Sequence, residues 1–178
     1  VQLLKQRLKD TEEKRYRWLV DGFGADEYRP ASGFSFVYVY KEDLLGFLYL
    51  SLRKLKERKK SGSYYTPKEI AKRVTDGVVL DGERTILDPA CGTGSILLEL
   101  PETCRIEQIY GYDIDPIAIA IVRVNMALTY YNYDRKLLTE HFVVKDFLLE
   151  DCSKRMDVII GNPPWGSAFS QKEKETHF

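Results

Sequence analysis

At 178 residues with 44% hydrophobic side chains, the chain holds one domain's worth of material, room for an appendage and enough apolar content for a real core. Its 27 basic and 27 acidic residues cancel, so overall charge argues neither for nor against a nucleic-acid partner. No apolar run approaches the ~20 residues of a membrane span, the charged start lacks a signal-peptide core, and Cys91, Cys104 and Cys152 show no paired spacing for a disulfide frame or zinc site. A cytoplasmic protein with free thiols, no membrane contact and no metal is expected.

Residues 1–20 carry Leu3, Leu4, Leu8, Trp18 and Leu19 among charges, the pattern of a surface helix. Asp21-Gly22-Phe23-Gly24 and Arg29-Pro30-Ala31-Ser32-Gly33 break it into loop. Phe34 to Tyr40 is aromatic and β-branched, so it reads either as a short strand or as an extended approach to the next helix. That helix is predicted from Lys41 to about Arg58, with Leu44, Leu45, Phe47, Leu48, Leu52 and Leu55 on one broad face. Arg53, Lys54, Lys56, Arg58, Lys59 and Lys60 form a basic run, either a solvated helix end or a stripe that tracks phosphates. Lys59 to Ser63 reads as a linker, which divides the chain into a helical extension, 1–60, and a second unit, 61–178.

From Tyr64 onward helix and strand alternate. Thr66-Pro67-Lys68-Glu69 predicts a helix start, with Thr66 as N-cap, Pro67 in the first turn, Glu69 closing a capping box, and the helix running to about Val79. Thr85 to Asp88 is a first strand, followed by Pro89-Ala90-Cys91-Gly92-Thr93-Gly94 and a short helix, Ser95 to Leu100. A glycine turn at a strand's carboxyl end lets backbone approach a ligand. Leu97 stands where a dinucleotide fingerprint needs its third glycine, and Asp88 in the turn would repel phosphate, so a nucleoside bearing a positive group is preferred.

Ile106 to Asp113 is a second strand, ending nineteen residues after Gly94 on an acid suited to ribose hydroxyls. Asp115 reads as the cap of a helix opened by Pro116 and running to about Tyr131, while Ile114 between the two acids suits a cover for an aromatic ring. His141 to Val144 is a third strand; beyond it Asp146-Phe147 offers an acceptor for an adenine amino group beside an apolar wall. Taken singly, each such acid is more often a turn residue next to a core aromatic; three at three successive strand ends are much harder to get by accident.

Val158 to Gly161 is a fourth strand, running into Asn162-Pro163-Pro164-Trp165. The two prolines stiffen the loop and donate no N–H, so Asn162 and the Pro163 carbonyl can hold both hydrogens of an exocyclic amine while Trp165 offers a face for a flipped base. The bland alternative is a proline-rich strand exit with a core Trp. Strands joined by helical crossovers make a parallel, right-handed α/β sheet.

These motifs, Tyr64-Tyr65-Thr66-Pro67, Asp88 to Gly94, Asp113-Ile114-Asp115-Pro116, Asp146-Phe147 and Asn162 to Trp165, lie in the order seen in the gamma group of S-adenosyl-L-methionine-dependent amino-methyltransferases of DNA. The chain most resembles the large adenine-specific enzymes of restriction-modification systems, over about residues 60–165. The resemblance implies a Rossmann-like methyltransferase sheet that binds S-adenosyl-L-methionine and DNA. By it, Tyr65 and Thr66 belong to a segment holding the methionine carboxylate, and Asp88 holds the methionine amino group beside Ala90, Gly92 and Gly94. Asp113 would bind ribose, Ile114 and Phe147 would sandwich the cofactor's adenine, and Asp146 would take its amino group. Asn162, Pro163 and Pro164 would present the target amine, with Trp165, where the family usually has Tyr or Phe, stacking on its base.

The implied reaction is direct methyl transfer to an amine whose lone pair two acceptors localise, which needs positioning rather than a strong base; His141 is read as structural. The family's sheet has seven strands and four are legible, so a partial domain truncated after the fourth strand is expected. Such a piece would be inactive alone, with an open edge prone to association and its DNA-recognition, specificity or endonuclease regions elsewhere. Other targets for the same loop are the N4 of cytosine in DNA, the N2 of an RNA guanine or a protein glutamine; an interaction module retaining only the fold is the non-enzymatic alternative.

Overall fold

The computed structural model describes residues 17–21, 37–53, 66–150 and 154–163. Four strands, β1 (Ile86–Asp88), β2 (Ile109–Asp113), β3 (Phe142–Val144) and β4 (Val158–Ile159), form one parallel sheet in the order β3-β2-β1-β4. Among the described residues five α-helices accompany them: α1 (Trp18–Asp21), α2 (Leu44–Leu52), α3 (Lys68–Thr75), α4 (Pro116–Tyr130) and α5 (Arg135–His141). This is the α/β architecture expected from the alternation of elements. The register pairs Ile86 with Ile109 and Val158, and Asp113 with Val144, so the strand ends share one rim. Asp157 helps to set the β4 register, because its Oδ2 accepts from the Thr85 N–H (2.7 Å) and hydroxyl (3.1 Å).

Side chains alternate between the sheet's two faces. Ile86, Ile109 and Phe142 join the main core with Ile119, Val122, Met126 and Leu128 of α4 and with Leu97, Leu98 and Leu100. Leu87, Tyr110 and Tyr112 line the second face, where Val143, Phe147 and Met156 pack against them. α4 opens as its sequence dictates: Pro116 needs no N–H in the first turn, and Asp115 Oδ1 accepts from the N–H groups of Ile117 and Ala118.

Several predicted elements are revised. Thr66 does not cap α3; Pro67 holds the N-cap position, no side-chain cap bond forms, and the helix ends at Thr75 rather than near Val79. The stretch predicted as the helix Ser95–Leu100 is one 3-10 turn, Leu97–Glu99, whose Leu100 N–H returns to Leu97 just before Pro101. No helix dipole is therefore aimed from it at the rim. The first residues assigned to the second strand, Ile106–Gln108, are another 3-10 turn, because the buried Gln108 amide turns away to the carbonyls of Leu80, Gly82 and Arg84. α5 was not anticipated, and His141 closes it instead of opening β3.

Residues 37–40 are an irregular approach rather than a strand, turning at Lys41, whose φ is 59° and whose Nζ donates to the Leu100 carbonyl (2.6 Å). α2 does not bury the face drawn for it: Leu44 and Leu45 pack on the core, while Phe47 and Leu52 are exposed. The rest of the predicted first helix, residues 1–16, the basic run beyond Arg53, the linker 59–63, Cys152, and Tyr65, Pro164 and Trp165 lie outside the described residues.

The two glycines of the turn after β1 serve different ends. Both have positive φ, 53° at Gly92 and 93° at Gly94. A Cβ at Gly94 would stand 2.6 Å from Val122 Cγ2, whereas one at Gly92 would meet nothing within 4 Å. Gly94 lets the turn lie on α4, and Gly92 borders open space. Gly94→Ala is expected to cost about 3 kcal/mol or more and Gly92→Ala only about 1 kcal/mol in urea unfolding, and equal costs would contradict this division.

Candidate functional site

The strand order reverses direction at β1: β2 and β3 lie to one side, β4 to the other. In open parallel sheets the crevice beyond the carboxyl ends at such a point is where ligands bind. Two motifs flank it here, Asp88 at the end of β1 and Gly161-Asn162-Pro163 just past β4.

Asp88 is the most strained group of the rim electrostatically. It is 1% exposed; Oδ1 accepts from the Ala90 N–H (3.1 Å), and the buried Oδ2 has no hydrogen-bond partner among the described residues. Burial, aided by the nearby Asp113 carboxylate and opposed by the Ala90 bond, pushes its pKa up to about 7. A buried anionic oxygen left without a donor is costly, and an ammonium group placed against it would remove that cost. Gly161 lies against the same carboxylate, since a Cβ there would stand 2.8 Å from Asp88 Oδ1. Asn162 is thereby carried to the side of Asp88 and donates through Nδ2 to the buried hydroxyl of Thr66 (3.3 Å). Thr66, Asp88, Gly161 and Asn162, from three separate stretches of chain, thus converge.

Asp113 holds the second part of the rim. Its Oδ2 accepts from the Gly92 N–H and its Oδ1 from the Asp115 N–H, both at 2.8 Å. Burial raises its pKa, the neighbouring Asp115 carboxylate adds to the rise, and the backbone bonds from Asp115 and Gly92 oppose it. The Cys91 N–H donates to the Tyr112 carbonyl (2.8 Å), so the glycine turn is sewn to β2. Ile114 stands between the acids with 64% of its surface exposed. Ala90 and Gly92 line the turn between Asp88 and Asp113.

Asp146 and Phe147 follow β3 on the same rim, tied to it by the Lys145 N–H to Asp113 carbonyl bond (2.9 Å). Asp146 is a turn acid as well as a rim residue: its Oδ1 accepts from the Leu148 N–H (3.0 Å). Phe147 is half-buried against the second face of the sheet. Pro163 is exposed past Asn162. Among the described residues, no group of three or more His, Cys, Asp or Glu could hold a metal ion, and no helix is long and apolar enough to cross a membrane.

Sequence reasoning passed over three residues beside this rim. Asp43, the N-cap of α2, is buried and accepts from the Thr93 hydroxyl, the Asn125 amide (2.7 Å) and the Gly46 N–H (2.8 Å). Asn125 also donates to the Thr93 carbonyl (2.8 Å). Tyr49 donates its hydroxyl to Asp115 Oδ2 (2.5 Å), next to an Arg53 ion pair at 3.1 Å. One signal was available: Asn125 is a lone amide in the apolar stretch Val124 to Leu128 of α4.

A family model described as N-6 DNA Methylase matches residues 40–178. Among curated proteins, a type II methyltransferase, M.VspI, of Vibrio sp. (strain 343) is 36% identical over 121 residues, 67% of this chain and 29% of that protein. M.CvrRI, a type II methyltransferase of Paramecium bursaria Chlorella virus XZ-6E, is 30% identical over 110 residues, 62% of this chain and 26% of its own. The methylase subunit of the type I restriction enzyme HindI of Haemophilus influenzae is 29% identical over 146 residues, 76% of this chain and 32% of the subunit. The aligned region thus spans about a third or less of these relatives' lengths.

The state of Asp88 has a thermodynamic consequence. With its pKa raised to about 7 from 3.8, the folded chain without ligand binds more protons than the unfolded chain between those values, so Asp88 lowers stability as pH rises through that window. Urea unfolding of the unliganded chain should lose up to about 3 kcal/mol between pH 4.5 and 8 that Asp88→Asn does not lose. Parallel pH profiles for the two proteins would show that Asp88 is not held in this way.

Proposed function

The chain belongs to the N-6 DNA Methylase family, and from that premise we propose that it forms the cofactor and target-amine face of an enzyme that methylates the N6 amine of adenine in DNA as part of a restriction-modification system. The observation that carries the reading is the partnerless Asp88 Oδ2 at the switch point, beside Gly161 and Asn162. The residues present suit S-adenosyl-L-methionine, which when bound supplies a methyl group activated on a sulfonium. Asp88 would hold its ammonium, for the buried oxygen lacks a partner among the described residues and the acids around it disfavour phosphate. Gly92 leaves room for backbone approach, and Asp113, whose two oxygens already take backbone N–H groups, keeps further lone pairs for ribose hydroxyls. Ile114 and Phe147 would wall the adenine ring, Asp146 would receive its amino group, and Tyr65 and Thr66 would meet the carboxylate end.

The target amine is a weak nucleophile because its lone pair is delocalised into the base. Asn162 Oδ1 and the Pro163 carbonyl would accept its two hydrogens and draw the nitrogen toward tetrahedral geometry, localising that pair. The Asn162 to Thr66 bond supports this assignment, since it ties the amide to the same rim as Asp88. Pro164 would stiffen the loop and Trp165 would stack on the extruded base. Catalysis then rests on orientation at a rim whose loops are already bonded to one another. The DNA-recognition region and any specificity or endonuclease subunit are partners that this reading assigns to other segments or chains.

The test is methyl transfer from labelled S-adenosyl-L-methionine to unmethylated DNA by the full-length protein, with the product digested and N6-methyladenine quantified. Asn162→Ala should lower the transfer rate by about 10²-fold or more while leaving cofactor affinity nearly intact. Methylation of cytosine, RNA or protein instead of adenine would overturn the reading. Because the ion pair requires ionised Asp88, cofactor affinity in calorimetric titration should rise from about pH 5.5 toward Asp88's free-state pKa of about 7, below the range near 8 where an α-ammonium itself titrates, and Asp88→Asn should remove that rise.

A further inference from the structure

α2 is bonded at both ends to the rim. At its start, Asp43 takes the Thr93 hydroxyl on Oδ2 and the Asn125 amide and Gly46 N–H on Oδ1, and Asn125 holds the Thr93 carbonyl. Thr93 sits between Gly92 and Gly94, so the whole glycine turn is pinned. Gly46 is required for this: a Cβ there would overlap the Asp43 carboxylate and the Thr93 hydroxyl. Near the other end, Tyr49 and Arg53 both reach Asp115 Oδ2, at 2.5 and 3.1 Å. Asp115 donates its N–H to Asp113, and Asp113 accepts from Gly92, which closes a ring of hydrogen bonds from α2 through the turn after β1 and the loop after β2 back to α2.

We propose that α2 is a clamp that sets the separation of the two cofactor loops, with Asp43 and Tyr49 as positioning residues: Asp43 fixes the glycine turn and Tyr49 the acid loop. The inference rests on the cofactor reading above. Asp43 and Tyr49 are six residues apart, about 9 Å along a helix axis, so a stiff helix adds a further link between two loops that also meet through Asp113 and through the Cys91 to Tyr112 bond. A fully satisfied buried polar network of this kind rigidifies what it joins, and a partly satisfied one is costly. Burial raises the Asp43 pKa, opposed by the bonds from Thr93, Asn125 and Gly46, so the carboxylate depends on all three donors.

A clamp between two loops matters to a ligand that touches both and not to one that touches a single loop. S-adenosylhomocysteine, a cofactor analogue with both methionine and nucleoside ends, and adenosine, which has the nucleoside end alone, are therefore the probes, titrated into the full chain by calorimetry. Thr93→Val and Tyr49→Phe should each weaken S-adenosylhomocysteine about tenfold and adenosine by no more than about twofold, while Thr93→Ser, which keeps the hydroxyl, should match the unmodified chain for both. Equal losses for the two ligands, or no loss for either in variants whose thermal unfolding shows an intact fold, would overturn the clamp. Tyr49→Phe removes only a half-buried hydroxyl, so it serves should Thr93→Val not fold. Failure of the unmodified chain to bind S-adenosylhomocysteine would instead overturn the cofactor reading on which the clamp stands.

Discussion

A carboxylate forced into the interior at the end of a central strand governs this molecule. β1 is paired on both edges, with β2 and with β4, and is buried at all three of its positions. Asp88 ends it and shares that burial, yet among the described residues only one of its oxygens receives a protein donor. The sheet thus holds a group whose charge is poorly compensated by the residues around it. Gly161 belongs to the same constraint, because only a residue without a side chain lets the exit of β4 pass against that carboxylate.

Around Asp88 the rim is built from acids that are themselves braced by backbone. Asp113 ties the glycine turn to the loop after β2, Asp115 caps α4, and Asp146 organises the turn after β3. Each therefore performs the structural task a turn acid usually performs. That task leaves room for a ligand, since an ionised carboxylate has about four acceptor sites and the backbone uses only some of them. What singles out Asp88 is that burial leaves one of its oxygens outside this bracing.

The elements most readable in the sequence were those with strong local signals. α4 follows from Pro116 behind Asp115 and an apolar run, and β1 and β2 from short apolar segments ending on acids. The elements misread were decided by contacts distant in sequence. Thr66 has the chemistry of an N-cap, but its hydroxyl meets Asn162, 96 residues away. Gln108 looks like one more residue of a strand until its amide is seen bonding three carbonyls of the 80–84 segment. Phe47 and Leu52 fit an apolar stripe, yet α2 packs Leu44 and Leu45 on the core alongside the bonds of Asp43 and Tyr49 to the rim and leaves Phe47 and Leu52 outside.

By itself the sequence determined the alternation of strands and helices, the parallel sheet and the placing of acids and of Asn162 at strand ends, because each depends on neighbours a few residues away. Only the tertiary structure decided that Gly94 serves packing while Gly92 borders open space, that Asp88 keeps an oxygen without a partner among the described residues, and that Asp43 reaches across to Thr93 and Asn125. Those facts depend on which surfaces meet and how much water they exclude, and no stretch of chain records that alone.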